Sequence, residues 1–403
     1  MGNILDYLAE ATESFAERPF SEVDSLVLSQ LSYLYFDGFV PGPGGDPVAL
    51  RDLADEPAVA AMVREARVPE LNTQLMRRLA SCPRFQDLRL GNYVNIIDKE
   101  AEEQFSAVTF FIDNCAYVAY RGTDAYYVAW KEDFNLAFIS PVPSQVSGAE
   151  YLDWVASLTS CPLRVGGHSK GGNIAVYASL FCGEAAQQRI QAVYSHDGPG
   201  FSQGVLDGPE FARMQGRIHK TMPQSSLVGV LLQHQETYQV IKSNSFWIMQ
   251  HDPYNWVVEN GEFCKLDKLS SSSLFLDKSL NEWISSLSRE ELSAFADALY
   301  QVLCAFPGET FSDLPDKWWE TVKETLEGLK ELDSDTYSCI AHTVGALFSL
   351  ALKNLPRPKL SFTLADVRLP EIPKPKLPSL PRPKVPESLL QRLPFRKKLE
   401  EGA

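Results

Sequence analysis

Seventeen residues frame the rest of the chain: RVGGHSKGGNIAVYASL, Arg164 to Leu180. A short apolar run, LRVGG, ends at one glycine pair, and a run of helical character, GGNIAVYASLFC, begins at the next. Between them stand His168, Ser169 and Lys170. Glycine lacks a Cβ and lets backbones approach closely, so the stretch asks for a strand, a tight turn at Ser169 and a helix packed back on the strand. Such a unit belongs in an α/β architecture.

The flanking sequence has the matching rhythm. LRLGNYVNIID, QFSAVTFFI and CAYVAYRGT are short, rich in aromatic and β-branched residues, and separated by Gly, Asp, Glu and Asn, as expected of consecutive strands. SGAEYLDWVASL reads as a helix, IQAVYSHDGPG as a strand, EFARMQG as a short helix and RIHKTMP as a further strand. Strands alternating with helices predict βαβ units and a mostly parallel sheet flanked by helices. The first 80 or so residues read helical instead. In SEVDSLVLSQLSYLYF, residues Val23, Leu26, Val27, Leu28 and Leu31 fall near helical spacing, with Ser21 as the N-cap.

From Ser279 onward the pattern is helical again, and Ser288 followed by Glu291 is a capping-box signature. Past Asn354 proline recurs every two or three residues, and eleven Lys or Arg stand against three Asp or Glu up to Leu399. That composition buries too little apolar surface to fold and reads as extended or disordered chain. The expected organisation is a domain over 1–278 that includes the N-terminal helices, a helical subdomain over 279–355 and a basic Pro-rich tail over 356–403. The tail's charge suggests weak contact with an anionic membrane surface or a protein partner.

Composition narrows the function. A net charge of −15 over 403 residues argues against nucleic-acid binding, which needs clustered Lys and Arg. The seven cysteines form no CxxC pair, so reduced thiols fit better than a disulfide framework or a zinc site. No apolar run approaches the roughly 20 residues needed to span a bilayer, and the N-terminus lacks a secretory pattern. A cytoplasmic protein without metal or cofactor is the expectation.

GHSKG, Gly167 to Gly171, fits G-x-S-x-G, the nucleophile elbow. There a serine sits in a strained strand-to-helix turn, and the N–H of the next residue points at a developing oxyanion. GHSKGGNIA resembles the elbow of the α/β-hydrolase superfamily, especially the class 3 (fungal-type) lipases. VAYRGTD and WKEDF resemble two further segments of those lipases. The whole chain, with MGNILDYL and QHDPYNW, resembles an uncharacterised bacterial family of lipase-like domains of unknown function. The lipase-like part covers roughly 90–260.

The resemblance implies that Ser169 is the nucleophile and that Thr123 and Lys170 line the oxyanion hole. The Lys170 side chain is expected at the surface, or else facing an anionic substrate. His168 is expected to be structural, pointing away from the site, and His342 to belong to a core. The base follows both the serine and the acid in chain order, and His234 and His251 qualify. QHDPYNW occupies the loop of the lipases' catalytic histidine, so His251 is favoured. The acid breaks the pattern, because Ser226 stands where the lipases carry Asp. Asp197, at the end of the preceding strand in YSHDGPG, is the replacement, and Asp252 is the weaker candidate.

The reading is a serine hydrolase of small-molecule acyl esters with a Ser169-His251-Asp197 triad, its site covered by the terminal helices. Its rivals are an amidase or thioesterase with the same triad and a binding protein on a hydrolase frame. Truncation after residue 355 is expected to leave the melting temperature nearly unchanged; a large drop would show that the tail packs on the body.

Overall fold

The structure, a computed structural model, describes residues 2–274 except 125, 137, 138, 233–235 and 272, with scattered positions from 281 to 300. The expected helical subdomain lies largely, and the Pro-rich tail wholly, outside the described residues, as do His234 and His342.

The strands are β1 (Val48–Ala49), β2 (Arg89–Asp98), β3 (Glu103–Ile112), β4 (Cys115–Tyr120), β5 (Leu163–His168), β6 (Ile190–His196), β7 (Ile218–Pro223) and β8 (Tyr238–Ile241). Two-residue strands follow: β9 (Val258–Glu259), β10 (Glu262–Phe263) and β11 (Lys265–Leu266). Among the described residues one sheet has the order β1-β2-β3-β4-β5-β6-β7-β8-β11, and β9 and β10 form a separate hairpin. β1 to β4 are antiparallel. From β4 to β8 every pairing is parallel, and β11 closes the edge antiparallel to β8.

The helices are α1 (Ile4–Glu10), α2 (Glu22–Leu31), α3 (Glu56–Val63), α4 (Pro69–Ser81), α5 (Tyr127–Asn135), α6 (Pro143–Leu158), α7 (Lys170–Phe181), α8 (Glu184–Gln187), α9 (Gln203–Leu206) and α10 (Pro209–Met214). The α/β sheet with flanking helices is the architecture that the alternation in the sequence calls for; the expected parallel pairing holds from β4 to β8, while β1 to β4 and the β11 edge are antiparallel.

The strand order explains which helices lie where. β4 to β7 are laid down side by side in chain order. Right-handed crossovers between strands added in one direction all fall on one face. That face packs α6, α7 and α10 against Phe105, Ala107, Val118, Tyr120, Val165 and Val193. The opposite face would be bare without the N-terminal helices. Residues of α1 to α4 cover it, packing on Val108, Phe110, Tyr117, Ala119 and Tyr194. The alternation within β4, Tyr117 and Ala119 to one side, Val118 and Tyr120 to the other, is the two-residue period of a strand buried on both faces. The N-terminal helices are thus a layer of the fold.

α2 is the centre of that layer. Ser21 caps it in a capping box with Asp24, and Val23, Leu26, Val27, Leu28 and Leu31 are all buried. Its buried polar residues have partners on the sheet: Ser25 and Ser29 contact the Tyr117 hydroxyl at 2.8 and 3.0 Å. Asp24 also receives Arg84 through two bonds, 2.9 and 2.7 Å, and the Tyr7 hydroxyl at 2.6 Å. Arg84 donates onward to the carbonyls of Glu13, Ser14 and Arg18. One buried ion pair therefore ties α1, α2 and the chain after α4 together.

Asp24→Asn leaves the Arg84 guanidinium buried without a counter-charge. The expected loss is about 3–5 kcal/mol, read as a lower urea midpoint at unchanged slope.

Candidate active site

The elbow forms as the sequence asks. β5 ends at His168, α7 begins at Lys170, and Ser169 alone makes the turn with φ 60 and ψ −133. Its N–H donates to the His196 carbonyl at 2.9 Å, extending the parallel pairing of β5 with β6. A positive φ at a residue with a Cβ is strained and persists only where the surroundings impose it. Gly171 makes the turn fit: a Cβ there would lie 2.2 Å from the Tyr120 carbonyl oxygen. As the first residue of α7, Lys170 presents an N–H with no acceptor inside the helix.

Asp197 follows β6 as Ser169 follows β5, and it too has positive φ, 51. Its N–H donates to the Thr221 carbonyl at 2.8 Å. The carboxylate is fully buried. Oδ2 lies 2.6 Å from His251 Nδ1. Oδ1 accepts from the Ser226 hydroxyl at 2.5 Å and from the Gly229 N–H at 3.1 Å. A Cβ on Gly229 would come within 2.4 Å of that oxygen. Ser226 is therefore a hydrogen-bond donor to Asp197. Asp252 turns elsewhere: its Oδ1 accepts from the Tyr254 N–H at 3.0 Å and caps a short turn.

His251 ends a 3₁₀ turn, Trp247–His251. Gln250 anchors that turn by accepting from the Ser225 N–H at 2.8 Å and donating to the Ser245 carbonyl at 2.9 Å. His168 does not point away from this region, contrary to expectation. Its ring lies 4.5 Å from the His251 ring, centroid to centroid, and its Nε2 is 2.8 Å from the His251 carbonyl. A carbonyl only accepts, so Nε2 carries the proton, and Nδ1 is left to accept from the Tyr33 hydroxyl at 3.0 Å. Burial, and then the nearby His251, push the His168 pKa well below 6.5, so the ring is neutral. His196 is a core residue held by Ser25 and Thr221 at 2.9 and 2.8 Å; burial lowers its pKa to about 3. His219, exposed on β7, is 3.6 Å from Glu22.

The structure thus brings His251 and Asp197 into direct contact and sets Ser169 one residue from the His168–His251 packing. Among the described residues no hydrogen bond joins the Ser169 hydroxyl to His251.

On the other side of Ser169, Thr123 is buried and its hydroxyl donates to Asp133 at 2.5 Å. Lys170 departs from expectation. Its side chain is buried rather than exposed, and Nζ reaches Glu132 Oε2 at 2.8 Å and the Gln104 carbonyl at 2.9 Å. Nearby, Glu103 accepts from the Ser147 hydroxyl at 2.5 Å. Burial first, and the charge of Glu132 second, raise the Glu103 pKa to about 7. Burial likewise raises Asp133 to about 6, against the opposing pull of Lys170. Among the described residues no group of three His, Cys, Asp or Glu side chains is arranged to hold a metal ion, and no helix is long and apolar enough to cross a membrane.

A family model described as Mbeg1-like matches residues 79–301, more than half of the chain. The chain belongs to the Mbeg1-like family. The match spans the elbow, Thr123, Asp197 and His251, so the described site is the family's own segment rather than an appendage. Among solved structures the chain is similar to lipase II from Rhizopus niveus, at 17% identity over 42% of this chain and 70% of that one, TM-score 0.31. It is also similar to the M37 lipase, at 15% identity over 52% and 70%, TM-score 0.35. A third similarity is to Lip2 lipase from Yarrowia lipolytica, at 12% identity over 51% and 80%, TM-score 0.32. No curated protein gives a significant match.

Glu103 supplies a test of these electrostatics. Its folded pKa of about 7 lies above the ordinary 4.5. The folded state therefore holds this proton more tightly, and the associated stability is present below pH 4.5 and lost as pH rises through 7. Glu103→Gln keeps an acceptor for Ser147 and removes the titration. Relative to the variant, the wild-type protein should lose about 3 kcal/mol between those limits, measured by chemical denaturation across pH.

Proposed function

We propose that this Mbeg1-like chain is a serine hydrolase of carboxylic esters, working through Ser169, His251 and Asp197. The observation that carries the reading is the 2.6 Å contact of His251 Nδ1 with a buried carboxylate, at the end of the strand beside the one that delivers Ser169. Asp197 accepts three hydrogen bonds. An acceptor at Nδ1 fixes the imidazole tautomer with Nε2 free to take a proton.

In this mechanism the Ser169 Oγ attacks the ester carbonyl carbon as its proton passes to His251 Nε2. Negative charge gathers on the carbonyl oxygen and is received by the N–H groups of Thr123 and Lys170. The tetrahedral intermediate collapses, the C–O bond to the alcohol breaks, and His251 returns the proton to the leaving alkoxide. Water, deprotonated by the same histidine, then releases the acid and restores the Ser169 hydroxyl. Because the Thr123 hydroxyl proton is directed to Asp133, the backbone N–H is the donor assigned to that residue. A separation of Ser169 from His251 in the free protein is compatible with this scheme, since such bonds often tighten only with substrate bound. The ester class follows from the resemblance of GHSKGGNIA and VAYRGTD to class 3 lipases. Ser226 in place of the lipases' acid no longer argues for a binding protein, because a carboxylate stands one hydrogen bond away.

A fluorophosphonate probe is expected to label the wild-type protein and not Ser169→Ala, and a short-chain p-nitrophenyl ester should be turned over. Asp197→Asn should lower kcat by about 10⁴-fold, with Asp252→Asn well short of that. Ser226→Ala should lose only about 10-fold, the scale of one hydrogen bond to a charged group. Folded protein that neither takes the probe nor cleaves the ester would refute the assignment, and a silent Asp197→Asn would remove the acid from it.

A further inference from the structure

Glu132 and Asp133 are consecutive residues of α5. Asp133 holds the Thr123 hydroxyl at 2.5 Å. Glu132 holds the Lys170 ammonium at 2.8 Å. Adjacent side chains of one helix thus grip two residues from different parts of the chain, one after β4 and one at the start of α7. Under the proposed function these are the two whose N–H groups receive the oxyanion.

The Glu132 side is unusually well fixed. Both members of the pair are almost completely buried, at 1% and 0% side-chain exposure. Glu132 Oε1 accepts from the Ser144 N–H at 2.8 Å, at the start of α6. Oε2 accepts from the Gln104 N–H at 3.2 Å as well as from Lys170, whose Nζ also donates to the Gln104 carbonyl at 2.9 Å. One carboxylate therefore links α5, α6, α7 and β3. Stability is a poor reason for such an arrangement, because burying two charges costs about as much as their attraction returns. Geometry is a better one. An apolar pair would fill the same space without fixing where the Lys170 backbone sits relative to α5.

We propose that the buried Lys170–Glu132 pair is a positioning device for the oxyanion hole, holding the first turn of α7 at a set distance from the segment that carries Thr123. The inference rests on the hydrolase reading. It concerns the side chain of Lys170, whereas the oxyanion donor assigned to that residue is its backbone N–H, which substitution leaves in place.

The test compares the full-length wild-type chain with Lys170→Met, Glu132→Gln and the double variant Lys170→Met/Glu132→Met, by melting temperature and by kcat and KM on p-nitrophenyl butyrate. Each single variant leaves one buried charge unpaired and should lower the melting temperature. The double variant should recover most of that loss. Its kcat should nevertheless stay down by about 100-fold, with KM little changed, as for a misplaced catalytic group. A double variant with wild-type kcat overturns the proposal and leaves the hydrolase reading standing. If the wild-type chain cleaves no ester, both fall. Should the double variant not fold, Glu132→Asp carries the same comparison, because it keeps the charge and shortens the arm by one methylene. Reduced kcat at a near-native melting temperature supports the device, and undiminished kcat overturns it.

Discussion

A strand must become a helix within one residue at Ser169, and much of the site depends on how that turn is held. The backbone there has φ 60, and the next strand end repeats the device at Asp197 with φ 51. Each such conformation costs on the order of 1–3 kcal/mol and is sustained only by what surrounds it. For Ser169 the surroundings are the parallel pairing that sets His168 opposite His196 and the contact of Gly171 with the Tyr120 carbonyl. For Asp197 they are the bond from its own N–H to Thr221 and the two donors on its carboxylate. Two strained residues at the same height on neighbouring strands turn a flat sheet edge into a place where side chains converge.

The strand order sets the second constraint. Because the crossovers from β4 to β7 pile up on one face, the other face must be covered from elsewhere in the chain, and α1 to α4 do so. This makes the N-terminal layer a structural neighbour of the site. Tyr33, just past α2, bonds His168, which in turn bonds the His251 carbonyl. Ser25, within α2, bonds His196, the residue before Asp197. The sheet face and the strand ends therefore share side chains, and disturbance of the helical layer should be felt at the turn that carries His251.

Much of this is legible in the sequence. The glycine pairs around His168 to Lys170, the strand rhythm from Leu88 to Pro223 and the cap at Ser21 are local signals, and local signals survive translation into structure. The pairing of His251 with Asp197 is also readable, because YSHDGPG places a carboxylate at a strand end next to the elbow strand. What escapes is what depends on which face a side chain takes once elements pack. Lys170 is a charged residue in a glycine-rich turn, and charge by itself predicts exposure. Its burial follows from Glu132, 38 positions away in the chain, and nothing in WKEDF distinguishes the buried carboxylate from a solvated one. His168 escapes similarly. A residue next to an elbow serine points to the opposite side of the strand, and only the folded path of the loop to His251 brings that ring beneath it.

The position of Asp197 has a physical logic of its own. Ser226 and Asp197 sit just past neighbouring parallel strands, β7 and β6, and their side chains are 2.5 Å apart. A carboxylate arriving from either strand enters the same small volume beside His251 Nδ1, and the other position then needs only a group that can donate to it. Serine does so without adding a second negative charge, which an Asp at both positions would do, driving one of the two to take up a proton. Ser226 past β7 and Asp197 past β6 are therefore complementary. The Gly229 N–H completes the arrangement: with Ser226 from the same turn and His251 from another, it gives the buried carboxylate three donors from two segments. Its orientation is thereby fixed by the loops around the sheet edge rather than by the strand that carries it.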